Sequence, residues 1–176
     1  YHLFSLDLSG WDTSKATDFS CMFYGCGVTS LDLSSWDTSK ATNFNSMFLN
    51  CSGLTSLDVS NFNTSKATDF TDMFQNCRSL TALDLSRWDT SSVTNFRGMF
   101  FGCSGLKTLD VSNFNTSKAT SFSYMFYGCN NLKTLDVSHW NTRSVTNFGA
   151  MFKECTGLYS LNVSGWDTSS ATNFRE

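Results

Sequence analysis

Apolar residues recur along this chain in one pattern that repeats every 26 positions. The tetrad Leu-Asp-Leu/Val-Ser begins at Leu6, Leu31, Leu57, Leu83, Leu109 and Leu135, and returns as Leu-Asn-Val-Ser at Leu161. The first step is 25 residues and the other five are 26, because "GCGVTS" (25–30) is one residue shorter than "NCSGLTS" (50–56). Counted from the tetrad, the unit reads L-D-L/V-S-x-W/F-D/N-T-S-x-A/V-T-x-F-x-x-M-F-x-x-C-x-x-L-x-x, with apolar residues at unit positions 1, 3, 6, 11, 14, 17, 18, 21 and 24. Position 6 is Trp or Phe, position 14 is always Phe, position 17 always Met and position 18 always Phe. The segments 57–68 and 109–120, two units apart, are the same twelve letters, "LDVSNFNTSKAT".

A period of this length is the mark of a stacked-repeat architecture, in which one unit cannot bury its apolar face alone and neighbours complete the core. Positions 24, 1 and 3 alternate inward in the manner of a parallel strand with one buried face. The Trp-Asp-Thr-Ser run carries turn chemistry. Positions 14, 17, 18 and 21 have helical spacing, which predicts one or two helical turns there. The expected architecture is an α/β (β-rich) right-handed solenoid like a leucine-rich repeat, with a parallel sheet and short helical turns, one coil per 26 residues. Residues 1–176 form a single domain of about seven coils, the terminal ones partial. The pattern runs from unit position 22 to position 16 with no polar capping unit. A fragment of a longer array is therefore expected, or ends covered by self-association end to end.

Composition narrows the function classes. The chain lacks proline and isoleucine, and Ser and Thr exceed a quarter of it. A net charge of −3 with no basic run argues against a nucleic-acid surface. No apolar run is long enough to span a membrane. No Cys-x-x-Cys pair, calcium loop or glycine-rich phosphate loop occurs, so no metal or cofactor is expected. The two histidines, His2 and His139, have no nucleophile constellation around them, and no enzyme activity is expected.

Several positions carry candidate chemistry. Cys26, Cys51, Cys77, Cys103, Cys129 and Cys155 share position 21 and are expected to form a ladder of buried, reduced thiols; Cys21, at position 16, is the thiol expected to be exposed. Position 2 places Asp7, Asp32, Asp58, Asp84, Asp110 and Asp136 in an outward acidic ladder, read first as structural and second as a face for a basic partner. Threonines recur at positions 8 and 12, where caps and turns account for them before any ice-matching array does. Asn50, Asn63, Asn115 and Asn162 begin Asn-x-Ser/Thr sequons. The most variable positions, 15, 16 and 19, are better binding candidates: Phe101, Tyr124 and Tyr127 are expected to form an exposed aromatic patch on one edge, and Tyr24 occupies an equivalent place in the first unit.

The unit "LDLSxWDTSxATNFxxMFxxCxxLxx" resembles the 26-residue repeat of bacterial surface proteins, found in lipoproteins and wall-anchored proteins of mollicutes and Gram-positive bacteria. That family's usual form is "LDLSxFDTSxVTNMxxMFxxCxxL". The chain departs from it in having Phe at every position 14 and often Ala at position 11. The larger ring and smaller methyl conserve volume. The family is related in pattern to the leucine-rich repeats of surface adhesins. The resemblance implies an extracellular, cell-surface setting and a non-enzymatic role in adhesion to a host or matrix protein or a glycan. The alternatives are a structural stalk, spacer or filament repeat, and, third, ice or mineral binding.

Overall fold

The computed structural model describes residues 6–175. Seven successive coils begin at Leu6, Leu31, Leu57, Leu83, Leu109, Leu135 and Leu161, and each lies parallel to the next. An unbroken series of parallel bridges links position 13 of every coil, from Asp18 through Asn43, Asp69, Asn95, Ser121 and Asn147 to Asn173. Regular strand is confined to β1 (Thr134–Leu135) and β2 (Ser160–Leu161), paired in parallel with Thr134 opposite Ser160.

The short strand has a local cause. The side chain at position 2 accepts the position-4 amide, as Ser60 N donates to Asp58 Oδ1 at 2.9 Å. The position-6 amide then turns back to the position-3 carbonyl. Extended backbone is ended by its own Asx turn before a ladder can lengthen.

The helical turns expected over positions 14–21 are not formed; among the described residues there is no helix. In the third coil, Met73, Gln75 and Cys77 each donate three residues back, while Asp72, Phe74 and Asn76 donate to Arg97, Met99 and Phe101 of the next coil at 2.8, 2.9 and 2.6 Å. Positions 16 and 20 have positive φ, 54° at Asp72 and 59° at Asn76, repeated at Gly98 and Gly102. Left-handed residues four apart break a helix into tight turns yet leave positions 14, 17, 18 and 21 facing inward. With a neighbouring coil always alongside, the amides that a helix would bond internally find partners across the stack instead.

Each complete 26-residue coil contains six such reversals; those of the third coil close on N···O distances of 2.8 to 3.3 Å. Five of the donors, at positions 6, 11, 17, 21 and 24, carry apolar side chains that point into the core, so reversal and burial coincide.

The core is a set of parallel ladders. Phe48, Phe74, Phe100, Phe126 and Phe152 stack face to face at 5.5, 5.7, 5.7 and 5.8 Å, with interplanar angles of 10° or less. Beside them, position 6 stacks Phe62 on Trp88, Phe114 on Trp140 and Trp140 on Trp166, with centroids 6.3 to 6.4 Å apart. Such stacks add to plain area burial.

The alternation of Trp and Phe at position 6 has a hydrogen-bonding reason. Besides the position-6 amide of its own coil, the position-3 carbonyl can accept a second donor from the next coil. Trp88, Trp140 and Trp166 supply Nε1 to Val59, Val111 and Val137 at 3.0 to 3.2 Å. Phe has no such group, and in both Phe coils position 5 is Asn instead. Asn61 and Asn113 donate Nδ2 to Leu33 O and Leu85 O, each at 3.0 Å. The same Asn also approaches the carbonyls of positions 4 and 6. Trp36 is the exception: its indole N–H is enclosed without an acceptor.

Candidate functional site

Most of the residues that recur are consumed by the stack. At position 8, the hydroxyl of Thr64 donates to Asp89 O at 2.9 Å, and Thr38, Thr90, Thr116 and Thr142 make the same bond to their next coils while buried. At position 12 the hydroxyls of Thr42, Thr68, Thr94, Thr120, Thr146 and Thr172 are exposed, but each donates to the carbonyl of the threonine before it.

The acidic ladder of Asp7, Asp32, Asp58, Asp84, Asp110 and Asp136 does face outward, and in every one Oδ1 accepts the amide of the serine two residues on. Positions 7 and 13 repeat the device, as in Asp37 with Ser39 and Asp69 with Thr71, giving three such turns per coil, the third of the fifth coil being made by the Ser121 hydroxyl. The hydroxyl and the amide of the serine two residues on hold eleven aspartates below the usual carboxylate value of 3.8: Asp7, Asp12, Asp18, Asp32, Asp37, Asp58, Asp84, Asp89, Asp110, Asp136 and Asp167. A depressed folded-state pKa contributes stability that is present above the unfolded value and lost as pH falls through the folded one. Urea midpoints are therefore expected to stay level from neutral pH to about pH 5 and to fall progressively below about pH 4. A midpoint unchanged at pH 3 would mean that the turns do not depend on ionised carboxylates.

The thiol ladder is also accounted for. Cys51, Cys77, Cys103 and Cys129 are fully buried, and each Sγ lies 2.9 to 3.2 Å from the position-18 carbonyl of the preceding coil. Cys26 and Cys155, expected to be buried with them, are only half-buried, because they lie in coils near the ends of the stack. Cys21 is exposed. Burial pushes the Cys51 thiol up to about 12 and raises Cys77, Cys103 and Cys129 further. Native thiol titration at neutral pH is expected to label Cys21 rapidly, Cys26 and Cys155 slowly, and the inner four only after unfolding. Rapid labelling of all seven would contradict the closed core.

What remains is the edge formed by positions 15, 16, 19 and 20. Phe101 and Tyr127 stack at 4.7 Å with an interplanar angle of 6°. Tyr124 leans against both, 6.2 Å from each. Tyr124 is 40% exposed, whereas Phe101 and Tyr127, expected to be exposed, are half-buried because each covers a face of the other. Tyr24 is well exposed but sits in the first coil, three coils from Phe101, so the structure does not bring it into the patch.

Three charged residues belong to this edge that the sequence did not single out. Arg97 Nη1 lies 3.0 Å from Asp72 Oδ2, and the guanidinium carbon sits 5.8 Å above the centre of the Tyr124 ring. Tyr127 donates its hydroxyl to Glu154 Oε1 at 2.6 Å. Partial burial raises the Asp72 carboxyl against the opposing pull of Arg97, and Glu154 as acceptor raises the Tyr127 phenol. A side chain at Gly98 would push aside the Asp72 carboxylate that Arg97 holds. The sequence signal is the offset of these pairs, 25 and 27 residues, one coil less or more one position.

A depression of about 320 Å³ lies along the acidic ladder between Thr108, Asp110, Thr134 and Asp136. Among the described residues no group of three or more His, Cys, Asp or Glu side chains is arranged to hold a metal ion, and no helix is long and apolar enough to cross a membrane. His139 is exposed at position 5; His2 lies outside the described residues.

Parallel coils with inward aromatic ladders and a variable outer edge define a stacked-repeat protein. The chain belongs to the DUF285 family, described as Mycoplasma protein of unknown function, whose profile matches residues 2–104 and 79–176. The two matches overlap over residues 79–104, the length of one unit. No curated protein matches the chain. Among solved structures, it is similar to a chain in the crystal structure of the TLR13–ssRNA13 complex, with 16% identity and a TM-score of 0.40. That similarity covers 91% of this chain and 24% of the other, so the protein spans about a quarter of that relative's length.

Proposed function

We propose that this protein is a non-enzymatic binding module, displayed outside the cell on a lipoprotein- or wall-anchored parent, that engages a host or matrix protein or a glycan through the Phe101–Tyr124–Tyr127 edge. In this reading the stack is a right-handed solenoid of the leucine-rich type, and it serves as a rigid support. One observation carries the proposal. The recurring polar side chains are spent on hydrogen bonds within or between coils, whereas the aromatic cluster lies at positions that differ from coil to coil. A scaffold needs no such cluster, and aromatic residues with arginine are what protein-binding surfaces concentrate.

A structural stalk or spacer is the second reading, supported by the uniformity of the ladders. Ice or mineral binding has less support, since one threonine row is buried and the other has its hydroxyls engaged.

Arrays of matrix proteins and glycans probed with the wild type and Tyr124→Ala provide the test. A bound ligand is expected, weakened about tenfold or more by the substitution. A wild type silent across such arrays would move the assignment to the spacer.

A further inference from the structure

Charge is unevenly distributed around the coil. Positions 1–14 of all units together carry twelve aspartates against six Lys and Arg. Positions 15–26 carry six Lys and Arg (Arg78, Arg97, Lys107, Lys133, Lys153, Arg175) against three carboxylates (Asp72, Glu154, Glu176). All six of these cations fall in coils 3 to 7, the part of the stack that holds the aromatic cluster. A chain that is acidic overall therefore reverses sign on this side.

The two carboxylates beside the aromatic cluster are already committed, Asp72 to Arg97 and Glu154 to Tyr127. Arg97 is not used up. Its side chain is 49% exposed, and Asp72 meets one nitrogen of a guanidinium that has five N–H donors. Arg78, at position 22 of the third coil, and Lys153, at position 19 of the sixth, are also exposed. The rings themselves are poorly disposed toward a neutral sugar, which stacks on an open ring face. Phe101 and Tyr127 cover one another, and one face of Tyr124 lies under Arg97. They present partly covered apolar surface, which suits apolar side chains, beside cations, which suit carboxylates.

We infer that the Phe101–Tyr124–Tyr127 edge takes an acidic polypeptide segment, with carboxylates on Arg97 and the other cations of this side and apolar side chains against the rings. This rests on the reading of that edge as the binding surface. Arginine held over an aromatic ring and steadied by one carboxylate offers the rest of its planar fork to a second, the geometry in which arginine recognises carboxylates best.

The test is fluorescence anisotropy with three labelled probes: a peptide alternating glutamate with leucine, its lysine–leucine counterpart, and heparin. The glutamate peptide is expected to bind, and to bind more weakly as salt rises from low to physiological strength. The lysine peptide is expected not to bind. Arg97→Glu is expected to weaken binding more than tenfold and Tyr124→Ala about tenfold. Lys66→Glu changes net charge equally but lies at position 10, on another side of the coil, and is expected to alter affinity less than about twofold. Circular dichroism and a thermal melt identify any variant whose loss is one of folding, and Arg97→Gln then replaces Arg97→Glu in the comparison. Equal binding of the two peptides, equal effects of the Arg97 and Lys66 variants, or binding of heparin alone would overturn the inference. If the arrays return a ligand lost on Tyr124→Ala while the glutamate peptide does not bind, the inference falls and the surface-module reading stands. If no ligand depends on Tyr124, both fall.

Discussion

Phe100→Ala is expected to lower the unfolding free energy by about 3–5 kcal/mol. The ring is fully buried and stacked on both faces, 5.7 Å from Phe74 and 5.7 Å from Phe126, and it contacts no solvent through which the site could relax. In a stack whose stability is the sum of unit and nearest-neighbour terms, one cavity at this position weakens two interfaces at once. The urea transition is expected to move to lower denaturant and to broaden, as coils on either side of the lesion uncouple. Phe152→Ala is the internal comparison, since that ring is half-buried and stacks within the ladder on Phe126. Its cost is expected to be well below that of Phe100→Ala. Equal costs for the two would show that the ladder contributes through area alone and not through its continuity.

Asn113→Ala is expected to cost about 0.5–1.5 kcal/mol, because it removes the donor shared by Leu85 O, Ser86 O and Trp88 O and leaves Leu85 O with the Trp88 amide alone. Phe114→Trp in the same molecule is expected to recover most of that loss. The indole N–H would take over Leu85 O as Trp88, Trp140 and Trp166 do for their preceding coils, and a Trp above a Trp already occurs at Trp140–Trp166 with rings 6.4 Å apart. The measurement is a double-mutant cycle by chemical denaturation. A coupling energy near zero would mean that Asn and Trp do not exchange the same bond.

The coil length, the inward positions and the ladders of Phe, Met and Cys are all legible in the sequence, because each inward residue sits at a fixed place in a fixed period. The local backbone is not. Positions 14, 17, 18 and 21 are spaced as on a helix, but two left-handed residues four apart give the same inward set by a different path. The signal was present in Gly25, Asn50, Asn76, Gly102 and Gly128 at position 20, residue types that tolerate positive φ. Likewise Asn before Phe, and never before Trp, is visible at 61–62 and 113–114, but its meaning depends on which carbonyl the next coil meets. The strand is shorter than the alternation suggests, because the Asp at position 2 looks like an outward strand residue while it bonds its own backbone. At the edge, Phe101, Tyr124 and Tyr127 stand out as variable aromatics, whereas Arg97, Asp72 and Glu154 acquire significance only when coils are set side by side.

The exchange of Asn for Trp has a genetic consequence. At five of the six junctions between coils the position-3 carbonyl meets a donor carried by the following coil, as Asn or as Trp. Every coil thus offers the same acceptor and brings its own donor, whatever precedes it. Recombination between repeats, if it stays in register, inserts or deletes whole coils while leaving this donor and acceptor matched. Two identical twelve-residue segments two units apart are the trace such an event leaves. The array is in this sense free to change its length and reorder its outer edge within a lineage, at little cost to the fold that displays it.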